Sequence, residues 1–386
     1  MSVEPIPFTL HVPDEDIADL KERLARARFL ERTPGDPWAY GSSVDHMAGL
    51  TTHWRDRFDW RVHEALLNSF PQFKVPLHDI DVHFLHVEGK GPNPMPLLLM
   101  HGWPGSVFEF LEIIPRLTDP ERFGGRAEDA FTVVAPSLPG FGLSFAPGQR
   151  RFSIEEIADC LADLMTEVLG YERFAAQGGD WGSFAATRMG YVRPERLIGI
   201  HLNLLPLTRN PKAAASPTEA EKVYYNELRE FLREETGYQW IQGTRPDTLA
   251  LALHDSPMGL ASWIVEKFWR WSDCDGDLAN AFDRDRILAN ISLYWFTGAI
   301  ASSFWPYYAR LHGDWPIPVG ETVDVPVGYA EFKVEILKPP RSLAQLMYSD
   351  IRRWTVMERG GHFAALEQPE ALAKEVTAFF RELRLG

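Results

Sequence analysis

Short runs of apolar residues alternate with amphipathic stretches along much of the chain. Residues 96–100 (Pro-Leu-Leu-Leu-Met) and 131–135 (Phe-Thr-Val-Val-Ala) are nearly continuous apolar runs, as is typical of strands buried on both faces. Similar runs predict further strands at 174–177, 197–205, 325–329 and 353–357. Because amphipathic segments separate them, the pattern indicates an α/β protein with a mainly parallel sheet covered by helices on both faces.

Two blocks of the chain depart from this alternation. The first contains a helix predicted to begin at Asp14, an aromatic-rich helix over 53–69 and a half-buried strand at 80–84. The second block, over 207–320, is rich in Trp, Tyr and Phe, and its pattern predicts helices only. The predicted segments are therefore an N-terminal extension over 1–93 that wraps the core, a first core part over 94–206, a helical lid over 207–320 and a second core part over 321–386.

The net charge of the chain narrows the class of molecule that it is expected to bind. The chain has 39 Lys and Arg residues against 54 Asp and Glu residues, a net charge of −15. Nucleic-acid binding requires concentrated positive charge, so this balance argues against it and equally against an anionic membrane surface. A neutral small molecule is the expected partner, and the oligomeric state stays open, with a homodimer among the options.

The compartment is expected to be the cytoplasm. No apolar run reaches the roughly 18 residues that a membrane helix requires, and residues 1–8 lack the layout of a signal peptide. The two cysteines, Cys160 and Cys274, form neither a disulfide framework nor a CxxC metal pair. Cys160 is predicted to be a buried free thiol.

The strongest chemical signal is the segment Gly-Gly-Asp-Trp-Gly at 178–182, between a predicted strand and a predicted helix. A nucleophile on such a tight turn needs small neighbours, and its usual identity is serine. Asp180 replaces it here. A carboxylate suits displacement at a saturated carbon, which leaves an alkyl ester that water can cleave. The substrates that fit are epoxides or alkyl halides; the alternative is that Asp180 only caps the following helix.

Two further segments fit the same chemistry. Residues 101–106 (His-Gly-Trp-Pro-Gly-Ser) follow a buried strand. In α/β hydrolases the oxyanion hole takes one backbone N–H from that loop and one from the residue after the nucleophile, here Trp103 and Trp181. Residues 359–364 follow the last predicted strand and carry His362. The order of nucleophile then histidine is that of this fold, so His362 is predicted to activate water.

Together these segments resemble the microsomal-type epoxide hydrolase family, which includes the juvenile-hormone hydrolases. The resemblance covers nearly the whole chain, and its motifs are FDWR (58–61), LNSFPQF (67–73), HGWPGS (101–106), GGDWGS (178–183) and GGHFAALEQPE (360–370). It implies an α/β-hydrolase fold with a helical lid and an N-terminal extension, and conversion of an apolar epoxide to a diol. The membrane anchor of the microsomal members is missing, which implies a soluble, bacterial-like form.

The resemblance also assigns roles within the predicted lid. Two tyrosines of that family donate hydrogen bonds to the oxirane oxygen, and they correspond to Tyr238 and Tyr307 here. The adjacent Tyr308 leaves the register of the second tyrosine open. Such donors are needed because ring opening creates an alkoxide, which is a poor leaving group unless it is stabilised.

The acid that orients the catalytic histidine is less sharply defined. The resemblance points to Glu335, which lies after the strand predicted at 325–329 and before His362. Glu331 and Asp324 are close in sequence and remain competitors, since loop carboxylates are usually solvated.

The sequence predicts no metal and no cofactor. Residues 273–277 (Asp-Cys-Asp-Gly-Asp) weakly resemble a calcium loop, but Arg284 stands where a glutamate ligand belongs. A solvated loop of the lid is the prediction there. No HExxH, P-loop or dinucleotide fingerprint occurs in a suitable context.

Two rival functions are distinguishable in principle. A haloalkane dehalogenase shares the fold and the carboxylate nucleophile, but a halide needs no proton donor, so the tyrosine pair favours the epoxide. A non-catalytic ligand receptor on the same scaffold usually has a damaged triad, whereas a competent residue occupies every expected position here.

Overall fold

A mixed sheet of nine strands organises the part of the chain that the structure describes. The structure is a computed structural model and describes residues 4–208 and 216–384. Residues 1–3, 209–215 and 385–386 therefore lie outside it; they include the start of the predicted extension, part of the predicted lid and the end of the second core part.

The strands run mainly parallel, as predicted. They are β1 (Ile6–Pro7), β2 (Gln72–Leu77), β3 (Ile80–Val87), β4 (Met95–Met100), β5 (Phe131–Pro136), β6 (Phe174–Gly178), β7 (Leu197–Leu202), β8 (Val327–Glu331) and β9 (Ile351–Val356). Their order across the sheet is β1-β2-β3-β5-β4-β6-β7-β8-β9. All neighbours from β5 to β9 are parallel, whereas β1, β2 and β3 form an antiparallel edge.

Helices connect these strands and follow the sequence pattern. They are α1 (Asp14–Ala25), α2 (Val44–Asp56), α3 (Trp60–Asn68), α4 (Ile113–Thr118), α5 (Ile154–Asp163), α6 (Asp180–Val192), α7 (Glu219–Glu234), α8 (Gly237–Thr244), α9 (Pro246–Asp255), α10 (Pro257–Trp271), α11 (Arg284–Thr297), α12 (Ile300–Ser303), α13 (Trp305–His312), α14 (Arg341–Ala344), α15 (Ala364–Glu367) and α16 (Pro369–Arg384). Helices α7 to α13 all lie between β7 and β8 in sequence, in the region predicted to be helical.

The prediction of one continuous helix over 53–69 is wrong. The structure has two helices there, and Asp59 begins the second by accepting a hydrogen bond from the backbone N–H of Arg61 at 2.9 Å. Asp59 is in an extended conformation, and the side-chain cap satisfies a backbone donor that a continuous helix would have used. The two helices can then pack at different angles.

Two other sequence predictions have clear outcomes. Cys160 and Cys274 are both buried free thiols, so the prediction for Cys160 is confirmed. The prediction of a solvated loop is wrong for Asp273, which is 4% exposed and forms 2.7 Å ion pairs with Lys333 and Arg359. Burial alone would raise the pKa of Asp273, but these cations and the N–H of Gly360 hold it at about 2. Asp273 therefore anchors the loop after α10 to the segment that follows β9.

The helices before β2 are tied to the helices between β7 and β8. The contacts are an Arg23–Asp255 ion pair at 3.1 Å, stacked Trp38 and Trp269 rings with centroids 4.6 Å apart, a 2.7 Å hydrogen bond from Ser42 Oγ to the Ser262 carbonyl, and a 3.0 Å hydrogen bond from Trp54 Nε1 to Ser292 Oγ. Two of the four are neutral hydrogen bonds and one is a stack of apolar rings, so salt does not screen most of this attachment.

No single helix in the described ranges has both the length and the apolar composition of a membrane span. Two segments, Arg284–Thr297 and Ile300–His312, reach that composition only when taken together, and they are bent by 106° relative to each other.

Asp129 attaches the last helix to the core just before β5. Its carboxylate is 2% exposed and accepts hydrogen bonds from Arg126 and from Arg381 of α16, at 2.6 to 3.0 Å. Burial acts to raise the pKa of Asp129, but the two guanidinium groups outweigh it and lower the pKa well below its usual range. The carboxylate is thus ionised at neutral pH, and Arg381 can hold α16 in place.

We expect Asp129→Asn to lower the free energy of unfolding at pH 7 by about 2 kcal/mol, because hydrogen bonds between charged groups are replaced by weaker ones. Urea denaturation followed by circular dichroism measures the change. Glu370→Gln is the matched control, since the Glu370–Lys374 pair also lies on α16 but its side chains are 66% and 73% exposed. Equal losses in the two variants would contradict a special role for Asp129.

Candidate active site

The turn between β6 and α6 holds Asp180 in an uncommon backbone conformation. Its φ is +43°, in the left-handed region, and it is the first residue of α6. Glycines make this turn possible: a Cβ on Gly182 would lie 2.2 Å from the Met100 carbonyl oxygen, and a Cβ on Gly102 would lie 2.2 Å from Asp180 Oδ1. The motif around Asp180 therefore lets the chain pack closely while the carboxylate points out of the turn.

The loop after β4 contacts one oxygen of the Asp180 carboxylate. The backbone N–H of Trp103 donates to Asp180 Oδ1 at 2.8 Å. The contact places a predicted oxyanion-hole donor directly on the predicted nucleophile. Trp181 follows Asp180 in the first turn of α6, and its backbone N–H makes no hydrogen bond to this carboxylate within the described residues.

His362 lies between two carboxylates. Its Nδ1 donates to Glu335 Oε1 at 2.7 Å, and its Nε2 lies 3.4 Å from Asp180 Oδ2. The His362 side chain is only 2% exposed, and its backbone N–H donates to the Trp271 carbonyl at 2.8 Å. The three predicted residues are thus in contact, at the ends of three different strands.

The two competitors for the acid position lie elsewhere. Glu331 accepts a hydrogen bond from Trp354 Nε1 at 3.2 Å. Asp324 accepts from the hydroxyl groups of Thr322 and Ser349, at 2.8 and 2.6 Å. Of the three carboxylates considered from sequence, Glu335 is therefore the one that contacts the histidine.

The electrostatic environment favours the protonated form of His362. Burial acts to lower its pKa, but the charges of Glu335 and Asp180 and their hydrogen bonds outweigh it and raise the pKa well above its usual value. Neutralising Asp180 removes part of that effect. The pKa of His362 therefore moves closer to neutral pH once Asp180 no longer carries a charge, and the neutral ring can then accept a proton.

Glu367 stabilises the loop that carries His362. Its carboxylate accepts hydrogen bonds from the backbone N–H groups of Phe363 and Asp273, at 3.0 and 2.8 Å. Burial raises the pKa of Glu367 to about 7, although both N–H groups oppose the rise. The contact fixes the residue next to His362 and links it to the loop after α10.

Two tyrosines from the helices between β7 and β8 face the same region. Tyr238 in α8 stacks on Trp103 with ring centroids 5.5 Å apart, and Tyr307 in α13 lies edge-on to Trp181 at 4.7 Å. The two tyrosine rings are 5.6 Å apart. Burial is the main cause that raises the pKa of both phenols, and the charge of Asp180 adds to it. Both hydroxyls therefore keep their protons at neutral pH.

Tyr308, the alternative to Tyr307, points in another direction. Its ring stacks between Trp305 and His312, with centroid distances of 4.8 and 4.1 Å. It is not among the residues that line the cavity next to Asp180, whereas Tyr307 is. The geometry thus distinguishes two tyrosines that the sequence left equivalent.

A cavity of about 240 Å³ extends from Asp180 between the core and the helices of the predicted lid. Its walls are mostly aliphatic and aromatic: Trp181, Phe184, Leu204, Leu205, Pro206, Leu207, Leu228, Phe231, Leu232, Trp315, Ile336 and Leu337. Polar groups are few, and the tyrosine pair lies near Asp180. Such an arrangement suits a largely apolar ligand that is oriented by a small number of hydrogen bonds.

Two residues of the site were not predicted from sequence. Arg310 lines the large cavity, with its guanidinium group 4.6 Å from the Trp315 ring centroid and 5.2 Å from that of Phe184. Glu109 lines a second, much smaller cavity beside Asp180. A carboxylate between two phenylalanines, as in the Phe-Glu-Phe segment at 108–110, is the only local signal that could have drawn attention to Glu109.

The fold and this geometry define an α/β hydrolase with a carboxylate at the nucleophile position. The chain matches the family model for the epoxide hydrolase N terminus over residues 5–110 and the model for the α/β-hydrolase fold over residues 95–229. It is 44% identical to a putative epoxide hydrolase of Stigmatella aurantiaca, over 98% of this chain and 85% of that protein. It is also 37% identical to epoxide hydrolase 1 of Oryctolagus cuniculus, over 97% and 88%.

Solved structures agree with this assignment. The juvenile hormone epoxide hydrolase of the silkworm Bombyx mori superposes with a TM-score of 0.89 at 32% identity, covering 99% of this chain and 95% of that one. The Aspergillus niger epoxide hydrolase gives a TM-score of 0.86 at 30% identity, covering 99% and 97%. The chain belongs to the epoxide hydrolase family, and it is an enzyme of that class.

We expect Asp180→Asn to lower the pKa of the His362 ring relative to the wild-type protein, because the variant removes one of the two charges that raise it. Titration of the ring nitrogens by NMR measures the shift. Asp324→Asn is the control, since that carboxylate has its own partners away from His362. An unchanged His362 pKa in Asp180→Asn would contradict the proposed coupling.

Proposed function

We propose that this enzyme converts an apolar epoxide and water to a vicinal diol through a covalent hydroxyalkyl ester on Asp180. The observation that carries the proposal is the position of the Asp180 carboxylate. One of its oxygens accepts the Trp103 N–H at 2.8 Å, and the other lies 3.4 Å from His362 Nε2. A carboxylate held in this way is oriented for nucleophilic attack, and it lies beside a histidine that becomes a base once ester formation removes the Asp180 charge.

The first half-reaction opens the ring. Asp180 Oδ2, which is not bound by the Trp103 N–H, attacks the less hindered epoxide carbon. The carbon–oxygen bond of the ring breaks, and its oxygen takes a proton from Tyr238 or Tyr307. Two phenols that are protonated at neutral pH support this role, because developing alkoxide charge needs donors that are already in place.

The second half-reaction cleaves the ester. His362, oriented by Glu335, removes a proton from water, and the resulting hydroxide adds to the Asp180 carboxyl carbon. The N–H groups of Trp103 and Trp181 stabilise the oxyanion. When the intermediate collapses, the diol oxygen leaves with the proton from His362, and the proton left on Asp180 returns to the tyrosine that protonated the ring oxygen.

The proposed substrate is a small apolar epoxide. The apolar walls of the 240 Å³ cavity support it, because an apolar body gains free energy from burial there while only the ring oxygen needs a polar partner. No cofactor or metal is invoked, since the nucleophile, the base and the donors are all side chains or backbone groups.

One feature also fits a halide-releasing reaction. The indole N–H group of Trp103 is buried without a hydrogen-bond partner within the described residues, and an indole N–H can hold a halide. The tyrosine pair and the family favour the epoxide, so halide release is treated as one outcome of the test.

We expect His362→Gln to accumulate the ester, because the enzyme loses the base that activates water while Asp180 can still attack. Intact-protein mass spectrometry after incubation with a panel of epoxides and haloalkanes measures the adduct. A mass increase equal to a whole epoxide supports the proposal, provided that it disappears in the double variant with Asp180→Ala.

Two other outcomes would contradict the proposal. An adduct that forms only from haloalkanes, with loss of halide, would assign the site to dehalogenation. No adduct from any compound, in a His362→Gln protein that melts like the wild type, would remove Asp180 from the role of nucleophile.

The tyrosine assignment has its own test. We expect Tyr307→Phe to lower kcat/KM for epoxides by about 100-fold or more, the usual cost of removing one donor to a developing oxyanion. Tyr308→Phe is the matched control and should stay within about threefold, because that ring stacks away from the cavity. Steady-state kinetics with a styrene-type epoxide measures both, and the reverse ranking would assign the role to Tyr308.

A further inference from the structure

Glu109 is a carboxyl next to the reaction centre that the proposed mechanism does not use. It lies in a short turn of 3-10 helix, Val107–Phe110, whose other three residues are buried and apolar. The side chain lines a cavity of about 20 Å³ that Asp180 and His362 also line. This small cavity is distinct from the 240 Å³ cavity, and the two share only Asp180 among their lining residues.

The backbone around Glu109 is shaped to admit its carboxyl. A Cβ on Gly105 would lie 1.4 Å from Glu109 Oε1, so the carboxyl fills the space that any other residue at 105 would need. The backbone N–H of Ser106 donates a hydrogen bond to this carboxyl, which fixes it further. Glu109 is therefore held facing Asp180 and His362 by two independent local features.

The small cavity has the size and the lining of a site for one water molecule. About 10–15 Å³ is sufficient for a single water, provided that two or more polar groups face it. Glu109, His362 and Asn203 are polar residues of its lining, and the Asn203 amide is oriented by a 2.8 Å hydrogen bond from Gln177 Nε2. The water would then lie beside the carboxyl carbon of Asp180.

The charges around Glu109 are compatible with this position. The ionisable groups that face it are Asp180, His362 and Tyr294, whose hydroxyl donates to the Gly105 carbonyl at 2.9 Å. Burial raises the pKa of Glu109 to about 8; His362 opposes the rise and Asp180 adds to it. The raised pKa favours the uncharged form of the carboxyl, which does not repel the Asp180 carboxylate.

We propose that this small cavity binds the hydrolytic water and that the Glu109 carboxyl accepts one of its hydrogens while His362 Nε2 accepts the other. The inference rests on the proposed function, because it assigns a water to the second half-reaction. His362 takes one proton as the water oxygen bonds to the Asp180 carboxyl carbon, and it gives that proton to the diol oxygen when the ester bond breaks. The second proton of the water stays on the Asp180 carboxyl and then returns to the tyrosine. Glu109 keeps its own proton throughout and directs the water at the ester.

The test separates the two half-reactions. Stopped-flow tryptophan fluorescence follows ester formation and ester hydrolysis, because Trp103 and Trp181 flank Asp180. We expect Glu109→Met to slow ester hydrolysis about tenfold or more, the value of one hydrogen bond in the transition state, and to leave ester formation within about threefold. The ester should then accumulate during turnover and appear in the intact mass.

Matched variants distinguish a hydrogen-bond role from a structural one. Glu109→Gln keeps an acceptor oxygen in place and should hydrolyse the ester within about threefold of the wild type. Glu112→Gln removes a carboxylate of the same segment that is 41% exposed and paired with Arg286, so it should behave as wild type in both half-reactions. Gly105→Ala should reproduce the Glu109→Met defect by displacing the carboxyl. If Glu109→Met does not fold, Gly105→Ala provides the test instead.

Several results would overturn the inference. Unchanged hydrolysis in Glu109→Met, or equal slowing of both half-reactions, would remove the water-binding role. A loss in Glu109→Gln as large as that in Glu109→Met would exclude the role of acceptor. Failure of the proposed function is recognised separately, since then His362→Gln would form no ester with any epoxide, whatever residue stands at 109.

Discussion

The left-handed backbone of Asp180 is the constraint on which the site depends. A non-glycine residue at a φ of +43° carries a conformational cost of about 1–3 kcal/mol, and it persists only when its surroundings leave no alternative. The approach of Gly182 to the Met100 carbonyl supplies that condition, because the first turn of α6 rests directly on β4. The Asp180 carboxylate thus lies above the strand ends, where the loops after β4, β8 and β9 can all reach it.

The three residues in contact at the site, Asp180, His362 and Glu335, could be predicted only in part. Asp180 and His362 each lie in a local sequence signature, a glycine-rich strand-to-helix turn and a loop after the last strand, so sequence alone indicated them. Glu335 has no such signature: only the family resemblance pointed to it, and Glu331 and Asp324 remained competitors. The distinction depends on which loop carboxyl meets the imidazole, and that is decided by packing between segments 27 residues apart.

The predictions that failed or were missing share a physical origin. Periodicity placed the parallel strands and the helical region between β7 and β8, because burial on a face repeats along the chain. It missed the break before Asp59, which depends on a single side-chain cap. It also treated Asp273 as solvated, since the cations that bury it come from residues 60 and 86 positions away. Glu109 was overlooked for the same reason: only the folded loop shows that Gly105 leaves room for its carboxyl.

The attachments between the N-terminal helices and the helices over the site limit how a ligand travels. Four contacts join the N-terminal helices to the helices over the site, among them the stacked rings of Trp38 and Trp269 and the hydrogen bond from Trp54 to Ser292. On the side that faces the site, Tyr238 and Tyr307 contact Trp103 and Trp181 of the core. An outward movement of all the helices between β7 and β8 would break both sets of contacts at once. We therefore expect a ligand to enter through rotations of the side chains that line the cavity, which are far faster than hinge motions. We therefore expect the width of a ligand, more than its length, to limit its entry into the cavity.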